Sequence, residues 1–408
     1  MNEMTNVILR KGEFMKRQLT VALGLAVIAT PAFATKARLE ALGEDSFGSY
    51  YINDNRNIFL NPAKINDNKD LVTYEFGAQS SSLSNAADSA AAPRGMGGFT
   101  KSHGNMVYGL HFGDSSPSTG LIRGLTTAKL QEAQPWDLHV GGDAGIKWGA
   151  SFTYENYDGA GPGAQARLAS HGAKLRGGIQ MGDLEAFAQV STSNGSSAFN
   201  GNRTDGKAGL FLGAGYMVNN YKLFADWRNI STDYSATAGA NGIGVTTTVA
   251  TDDKKFNYDI IRVGVGRQER LNDRATMFVK AMATRTMIDD KGNAVYGSTS
   301  GKLEQIALPV NIGLEYAATS WLDLRASVVN NVYSNQNSKP KGTSKKHTHI
   351  ANTAVRAGAS LKFGEFSIDG LISTNDGTGA GTVGSTTGTT GALRTDSLMT
   401  RVAMIYRF

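Results

Sequence analysis

Leu-Met-Thr-Arg-Val-Ala-Met-Ile-Tyr-Arg-Phe (398–408) ends the chain, and its pattern decides the fold. Counting back from the terminus, Phe408, Tyr406, Met404, Val402 and Leu398 are apolar, broken only by Thr400, while Arg407 and Arg401 fall between them. A period of two with one apolar face is a β-strand with lipid or core on one side and a wetter surface on the other.

The same alternation recurs upstream. Ile306, Leu308, Val310, Ile312, Leu314 and Tyr316 share one face, opposite Ala307, Pro309, Asn311, Gly313 and Glu315. Ile146 to Tyr154, Ala208 to Val218, Tyr221 to Trp227, Leu322 to Val328 and Val355 to Phe363 repeat it. Short connections at 104–105, 144–145, 182–183, 219–220, 271–273, 318–320 and 364–365 alternate with long polar ones at 80–93, 114–135, 158–164, 194–204, 234–255, 288–302, 334–350 and 376–392. Antiparallel membrane strands produce this pattern, with tight turns at one boundary and long loops at the other. Counting from Leu71 gives sixteen strands, an even number with both ends on one side. Dropping the two least regular, 94–101 and 136–142, gives fourteen. The predicted fold class is all-β, a transmembrane antiparallel up-and-down barrel.

Composition agrees. Glycine contributes 49 of 408 residues and proline eight, which suits a sheet with tight turns, and there is no cysteine. No segment downstream of the amino-terminal region has the apolar length of a membrane-spanning helix. Aromatics gather at short turns: Tyr216 and Tyr221, Tyr316 and Trp321, Phe363 and Phe366, with Tyr406 and Phe408 at the same level. Amphipathic rings prefer the headgroup region, so girdles mark the interfaces.

The amino end reads as an export signal. Met15-Lys16-Arg17 is a basic n-region, residues 19–29 are apolar, and Ala32-Phe33-Ala34 precedes a cleavage point before Thr35. The signal reads well from Met15, which predicts that residues 1–14 precede the true start. The expected organisation is a signal peptide over 1–34, a periplasmic or lumenal segment over 35–69, and a barrel over 70–408. The formal charge of +6, part of it in the leader, is too mild and dispersed for nucleic-acid binding.

The Tyr-x-Phe terminus resembles the assembly signal of bacterial outer-membrane β-barrels, which implies that Val402, Met404, Tyr406 and Phe408 are read by the barrel-assembly machinery. The chain as a whole resembles barrels of porin type. Arg38-Leu39-Glu40-Ala41-Leu42-Gly43 and residues 51–63 are similar to porin-like major outer-membrane proteins of predatory bacteria. Asn61-Pro62-Ala63 also recurs ahead of the first strand in long-chain fatty-acid transporters. These resemblances imply a bacterial outer-membrane location, contact with lipid and lipopolysaccharide, and a homotrimer by analogy with general porins. No residue of the sequence fixes the trimer.

If the apolar faces meet lipid, parity turns the other face into the lumen. The lumenal cations are then Lys147, Lys174, Arg176, Lys207, Lys222, Arg228, Arg262, Lys280, Arg325, Arg356, Lys362, Arg401 and Arg407. The lumenal anions are Glu155, Asp226, Glu315, Asp323 and Asp369. One sign of wall charge biases permeation, so the sequence predicts a passive porin for small hydrophilic solutes with modest anion preference.

A hydrophobic-compound transporter is the alternative. It would use 35–69 as a hatch, and Phe211, Phe224, Phe278, Met282 and Ile405 do fall on inward parity. Against it, the cations outnumber these residues and 35–69 is short and polar for a plug. A third reading is a structural coat protein with a closed lumen. Lys339, Lys341, Lys345 and Lys346 with His347 and His349 form a basic loop, read chiefly as a solvated one. His347 and His349 lack a third ligand, so no metal or other cofactor is expected. The six histidines lie in no nucleophile elbow and there is no cysteine nucleophile, so no enzyme is expected.

Overall fold

The computed structural model describes residues 35–77, 94–113, 135–160, 167–197, 203–235, 254–291, 301–340, 345–348, 353–375 and 399–408. Its strands are β1 (Leu71–Gly77), β2 (Arg94–His103), β3 (Met106–Phe112), β4 (Trp136–Asp143), β5 (Lys147–Ala160), β6 (Arg167–Met181), β7 (Leu184–Ser197), β8 (Arg203–Gly206) and β9 (Gly209–Val218). They continue with β10 (Tyr221–Ser235), β11 (Lys254–Arg270), β12 (Ala275–Asp290), β13 (Gly301–Ala317), β14 (Leu322–Pro340), β15 (Lys345–Thr348), β16 (Thr353–Phe363), β17 (Phe366–Asn375) and β18 (Met399–Arg407).

β8 and β9 both lie between β7 and β10, and β15 and β16 both pair with β14, so each couple is one interrupted wall strand. The wall therefore has sixteen antiparallel strands, including the two least regular in sequence. β1 pairs with β2 on one side and β18 on the other, which closes the barrel. The closing register sets Val72 opposite Tyr406 and Tyr74 opposite Met404. Phe408 donates its backbone N–H to the Asp70 carbonyl (3.1 Å), so the barrel begins and ends at one rim. Closure leaves no unpaired sheet edge, the condition for backbone to cross hydrocarbon.

Outward residues are apolar and open: Leu175, Val263 and Ile312 are each more than half exposed. Tyr216, Tyr221, Trp321, Phe363, Tyr406 and Phe408 ring the short-turn rim, and Phe112 and Trp136 meet edge-to-face (5.2 Å) toward the other. An apolar band between two aromatic girdles is a lipid-facing surface. The short turns fall where the alternation placed them; at one, Asn219 takes φ 53°, a left-handed conformation that asparagine tolerates better than most residues.

The long connections differ from expectation. Within 288–302 and 334–350, β12 continues to Asp290, β13 begins at Gly301 and β14 runs to Pro340, with β15 pairing onto it. These polar stretches are strand in part. Once strands pass the lipid band, however, both faces meet water and a hairpin needs no apolar residues. Residues 1–34, 80–93, 114–134 and 376–392, with Lys341 and His349, lie outside the described residues.

Residues 35–69 sit inside the barrel. They comprise α1 (Lys36–Ala41) and two 3-10 turns, Asn55–Phe59 and Pro62–Asp67, and most of their side chains are buried. Their partners lie on inner faces all round the wall, from β5 and β6 through β10 and β13 to β17 and β18. Only the lumen offers contact with all of them at once.

Candidate functional site: a plugged lumen

Polar residues of the segment bond to the wall rather than to solvent. Thr35 Oγ1 donates to Asp369 (2.8 Å), and Arg38 Nε donates to Glu315 (2.9 Å) while Nη1 reaches Asp54 (3.3 Å). Arg325 also bonds Glu315 (2.5 Å) and Asp369 (3.1 Å), tying β13, β14 and β17 to α1. Arg401 meets Glu40 (3.3 Å), Lys280 meets Glu44 (2.5 Å), and Arg356 donates to the Glu40 and Glu44 carbonyls (3.1 and 3.2 Å).

At the short-turn end, Lys64 and Lys222 share Glu185 (3.0 and 2.7 Å), Lys147 meets Asp67 (2.5 Å), and Arg176 donates to the Phe59 carbonyl. A polar segment makes a good plug because the wall it enters is charged. Its composition was the sequence-level argument against a plug, and that argument is corrected here.

The apolar inward residues supply docking surfaces. Phe278 is buried against Leu39, Leu42, Tyr51 and Ile52. Leu60 packs with Phe187 and Phe211, and Tyr50 stacks on Phe224 at 4.7 Å and 8°. Glycines let the backbone approach: a Cβ at Gly149 would lie 2.3 Å from the Pro62 carbonyl oxygen, and one at Gly178 would lie 2.0 Å from Asn61 Oδ1. Asn61 caps the Pro62–Asp67 turn and donates to the Ile179 carbonyl (3.3 Å), so the Asn-Pro-Ala element is a seat against β6.

Lys147, Lys174, Arg176, Lys222, Arg228, Arg262, Lys280, Arg325, Arg356, Lys362 and Arg401 lie on inward parity. Lys207 sits at the break between β8 and β9, half-exposed and paired with Asp233 (3.1 Å). Arg407 stands at the rim, where its backbone N–H bonds the Glu365 carbonyl (3.0 Å). Glu155, Asp226, Glu315, Asp323 and Asp369 also lie on the lumenal side; Asp226 pairs with Arg262 (2.8 Å) and Asp323 with Lys362 (2.5 Å).

Further carboxylates escaped the sequence reading: Glu75, Asp137 and Glu185 on the wall, and Glu40, Glu44, Asp54 and Asp67 on the segment. Extending parity to β1, β4 and β7 would have found the wall set; the segment's set is revealed only by its insertion. The three wall carboxylates lower the cationic excess, while the segment's acids are matched by its own Lys36, Arg38, Arg56, Lys64 and Lys69, so insertion pairs wall charges without changing their sum.

Burial raises the Asp54 carboxyl to about 7, against the opposing pull of Arg38. Burial opposes the Arg38 charge, yet Glu315 and Asp54 together raise its pKa. Burial, reinforced by Asp226, also pushes the Tyr50 phenol up, which keeps it a hydrogen-bond donor.

Above Leu60 the segment and wall enclose a cavity of about 50 Å³, bounded by Tyr50, Phe211, Phe224, Lys174, Arg228 and Arg262 among others. Along β10 these residues lie progressively farther from the 219–220 turn, so the cavity faces the long-loop side of the segment. On β3 and β4, His111 and His139 stand edge-to-face with Phe59 (5.3 and 5.4 Å) and with each other (5.2 Å).

No family profile matches the chain, and no curated protein matches it. Among solved structures it is similar to a Pseudomonas aeruginosa FadL homologue, with 11% identity, TM-score 0.40 and coverage of 92% of this chain and 98% of that one. It is similar to the deltaS2S3 mutant of the TodX monoaromatic hydrocarbon channel, at 13%, 0.37, 93% and 100%. A third is outer-membrane expressed OmpT of Vibrio cholerae, at 9%, 0.36, 83% and 95%. None of the three is a porin-like protein of predatory bacteria, so that finer resemblance gains nothing from them. With TM-scores under 0.5, what the barrel does has to be argued from its own lumen.

The exclusion of catalysis is corrected as well. A missing local motif is no ground for exclusion in a barrel. Side chains from separate strands meet there: His111, His139 and Asp137 share the inner face of β3 and β4 with no sequence motif joining them. Among the described residues no group of three or more His, Cys, Asp or Glu could hold a metal ion.

Proposed function

We propose that the protein is an outer-membrane channel gated by its own amino-terminal segment, taking small compounds with apolar character across the membrane. The occupied lumen carries this reading: the segment meets the wall on all sides through ion pairs and apolar contacts. It favours the transporter alternative over a standing water-filled porin, because a passive porin needs an unobstructed path. The wall cations that motivated anion preference are largely paired, so bulk anion selectivity loses its support. In this reading lipid and lipopolysaccharide surround the apolar band, the assembly machinery reads the β18 terminus, and trimerisation is an added proposal.

Single-channel conductance of the refolded mature protein in a planar bilayer tests it. The intact protein is expected to give small or rare openings, and a protein lacking 35–69 large stable steps. Gly149→Val, which crowds the Pro62 carbonyl without removing chain, is expected to raise open probability. Large stable steps from the intact protein would overturn the gated reading.

A further inference from the structure

We propose that the cavity above the segment is a binding site for a small organic monocarboxylate with a compact apolar body. The proposal rests on the gated-channel reading only for its purpose; the site stands on its own geometry.

One rung crosses four neighbouring wall strands: Arg176 on β6, Gln189 on β7, Phe211 on β9 and Arg228 on β10 are directly paired across the sheet. Adjacent strands lie about 4.8 Å apart, so long side chains from this rung converge on a common volume. Lys174 is the next inward residue on β6 and borders the same cavity.

Lys174 is only 7% exposed, yet it has no ion pair or hydrogen bond among the described residues. Gln189, also 7% exposed, likewise has no hydrogen bond there. Arg228 lies over the Phe211 ring (4.2 Å from its centroid) and has no ion pair among the described residues. Elsewhere the lumen satisfies its cations: Arg38, Arg262, Lys280 and Arg325 each hold a carboxylate. Burying an uncompensated cation is unfavourable, and the missing partner here is an anion.

The surroundings define that anion. Phe211, Phe224 and Tyr50 border the cavity, so the ligand carries an apolar body beside its charge. Asp45, Glu44 and Asp226 border it too, which disfavours a multiply charged ligand. A room of about 50 Å³ is smaller than the ~150 Å³ cavity that takes benzene, so the enclosed part seats the carboxylate and the compact apolar body extends into the cavity's open side. Gln189 offers an amide N–H to the second carboxylate oxygen.

Isothermal titration of the intact mature protein in detergent with sodium benzoate tests the site, with benzamide and sodium chloride as controls. Saturable benzoate binding is expected, with benzamide at least tenfold weaker and chloride a poor competitor. Lys174→Gln and Arg228→Gln should each weaken benzoate tenfold or more, while Lys207→Gln, at the strand break, leaves it unchanged. Heat-modifiable migration on gels confirms that each variant has folded. No saturable benzoate binding, equal binding of benzamide, or unchanged affinity in both variants would overturn the proposal. Because the measurement is an equilibrium on the closed protein, a failed conductance test leaves it standing, and failed binding leaves the gate standing.

Discussion

Arg38 bonds Glu315 on the wall and Asp54 within its own segment, and is almost fully buried. Removing one partner of a buried pair costs about 3–5 kcal/mol, chiefly because the other charge is left uncompensated. Arg38→Met should therefore loosen the segment by about that much, with trypsin cutting after Lys36 and Arg56 in folded protein as the readout. Asp54 gives a pH dependence. Its docked pKa of about 7 lies above the ordinary carboxylate value, so the docked state binds more protons than the released one. The contribution of Asp54 to docking is then full below about pH 4 and fades as pH rises from about 4 through 7. Channel openings should become more frequent over that window, and Asp54→Asn should flatten the profile. An unchanged profile in Asp54→Asn would remove Asp54 from the gate.

Among the elements, the segment and β18 do different work. The segment closes the lumen by shape as well as charge: Leu39 and Leu42 are buried against Phe278. Leu39→Ala should cost about 2–5 kcal/mol of docking and leave the wall intact. Hydrogen exchange by mass spectrometry is expected to show faster exchange at 35–69 and unchanged protection in β11–β14. β18 closes the wall itself, pairing with β1 from Arg401 to Arg407. Truncating Tyr406-Arg407-Phe408 removes the rim end of that ladder and should abolish the heat-modifiable folded species after refolding. Normal folding of the truncated chain would show that the closing strand tolerates loss of its last turn of pairing.

At the scale of the molecule, wall and plug have separable stabilities. The wall is a continuous ladder of backbone hydrogen bonds with no edge, whereas the plug is held by bonds with a side chain on at least one side and by apolar contacts. In urea, release of the segment is expected before the wall unfolds, as a first transition in Tyr50 surroundings followed by loss of β-structure. A single coincident transition for both would mean that the plug is integral to the wall's stability. Alternation in 398–408 and 306–316 was legible because each inward-outward choice repeats every second residue. The irregular 94–101 and 136–142 were harder because glycines at 97, 98 and 141 blur the pattern. The plug was not legible, since 35–69 has no period and its docking faces come from short turns.

The sequence by itself determined an antiparallel wall of sixteen strands by count, with fourteen left open, its lipid face, its aromatic rims and the parity of its lumenal charges. Those follow from strand period and turn spacing, which are local. Only the tertiary structure decided what the charges do. Glu315 and Asp369 lie 54 residues apart in the chain and both meet Arg325, while Arg38 arrives from the far end to complete the cluster. Whether a buried cation is paired or, like Lys174 among the described residues, left open depends on which strands are neighbours and what fills the space between them. That is set by packing across the lumen and has no periodic trace in the chain.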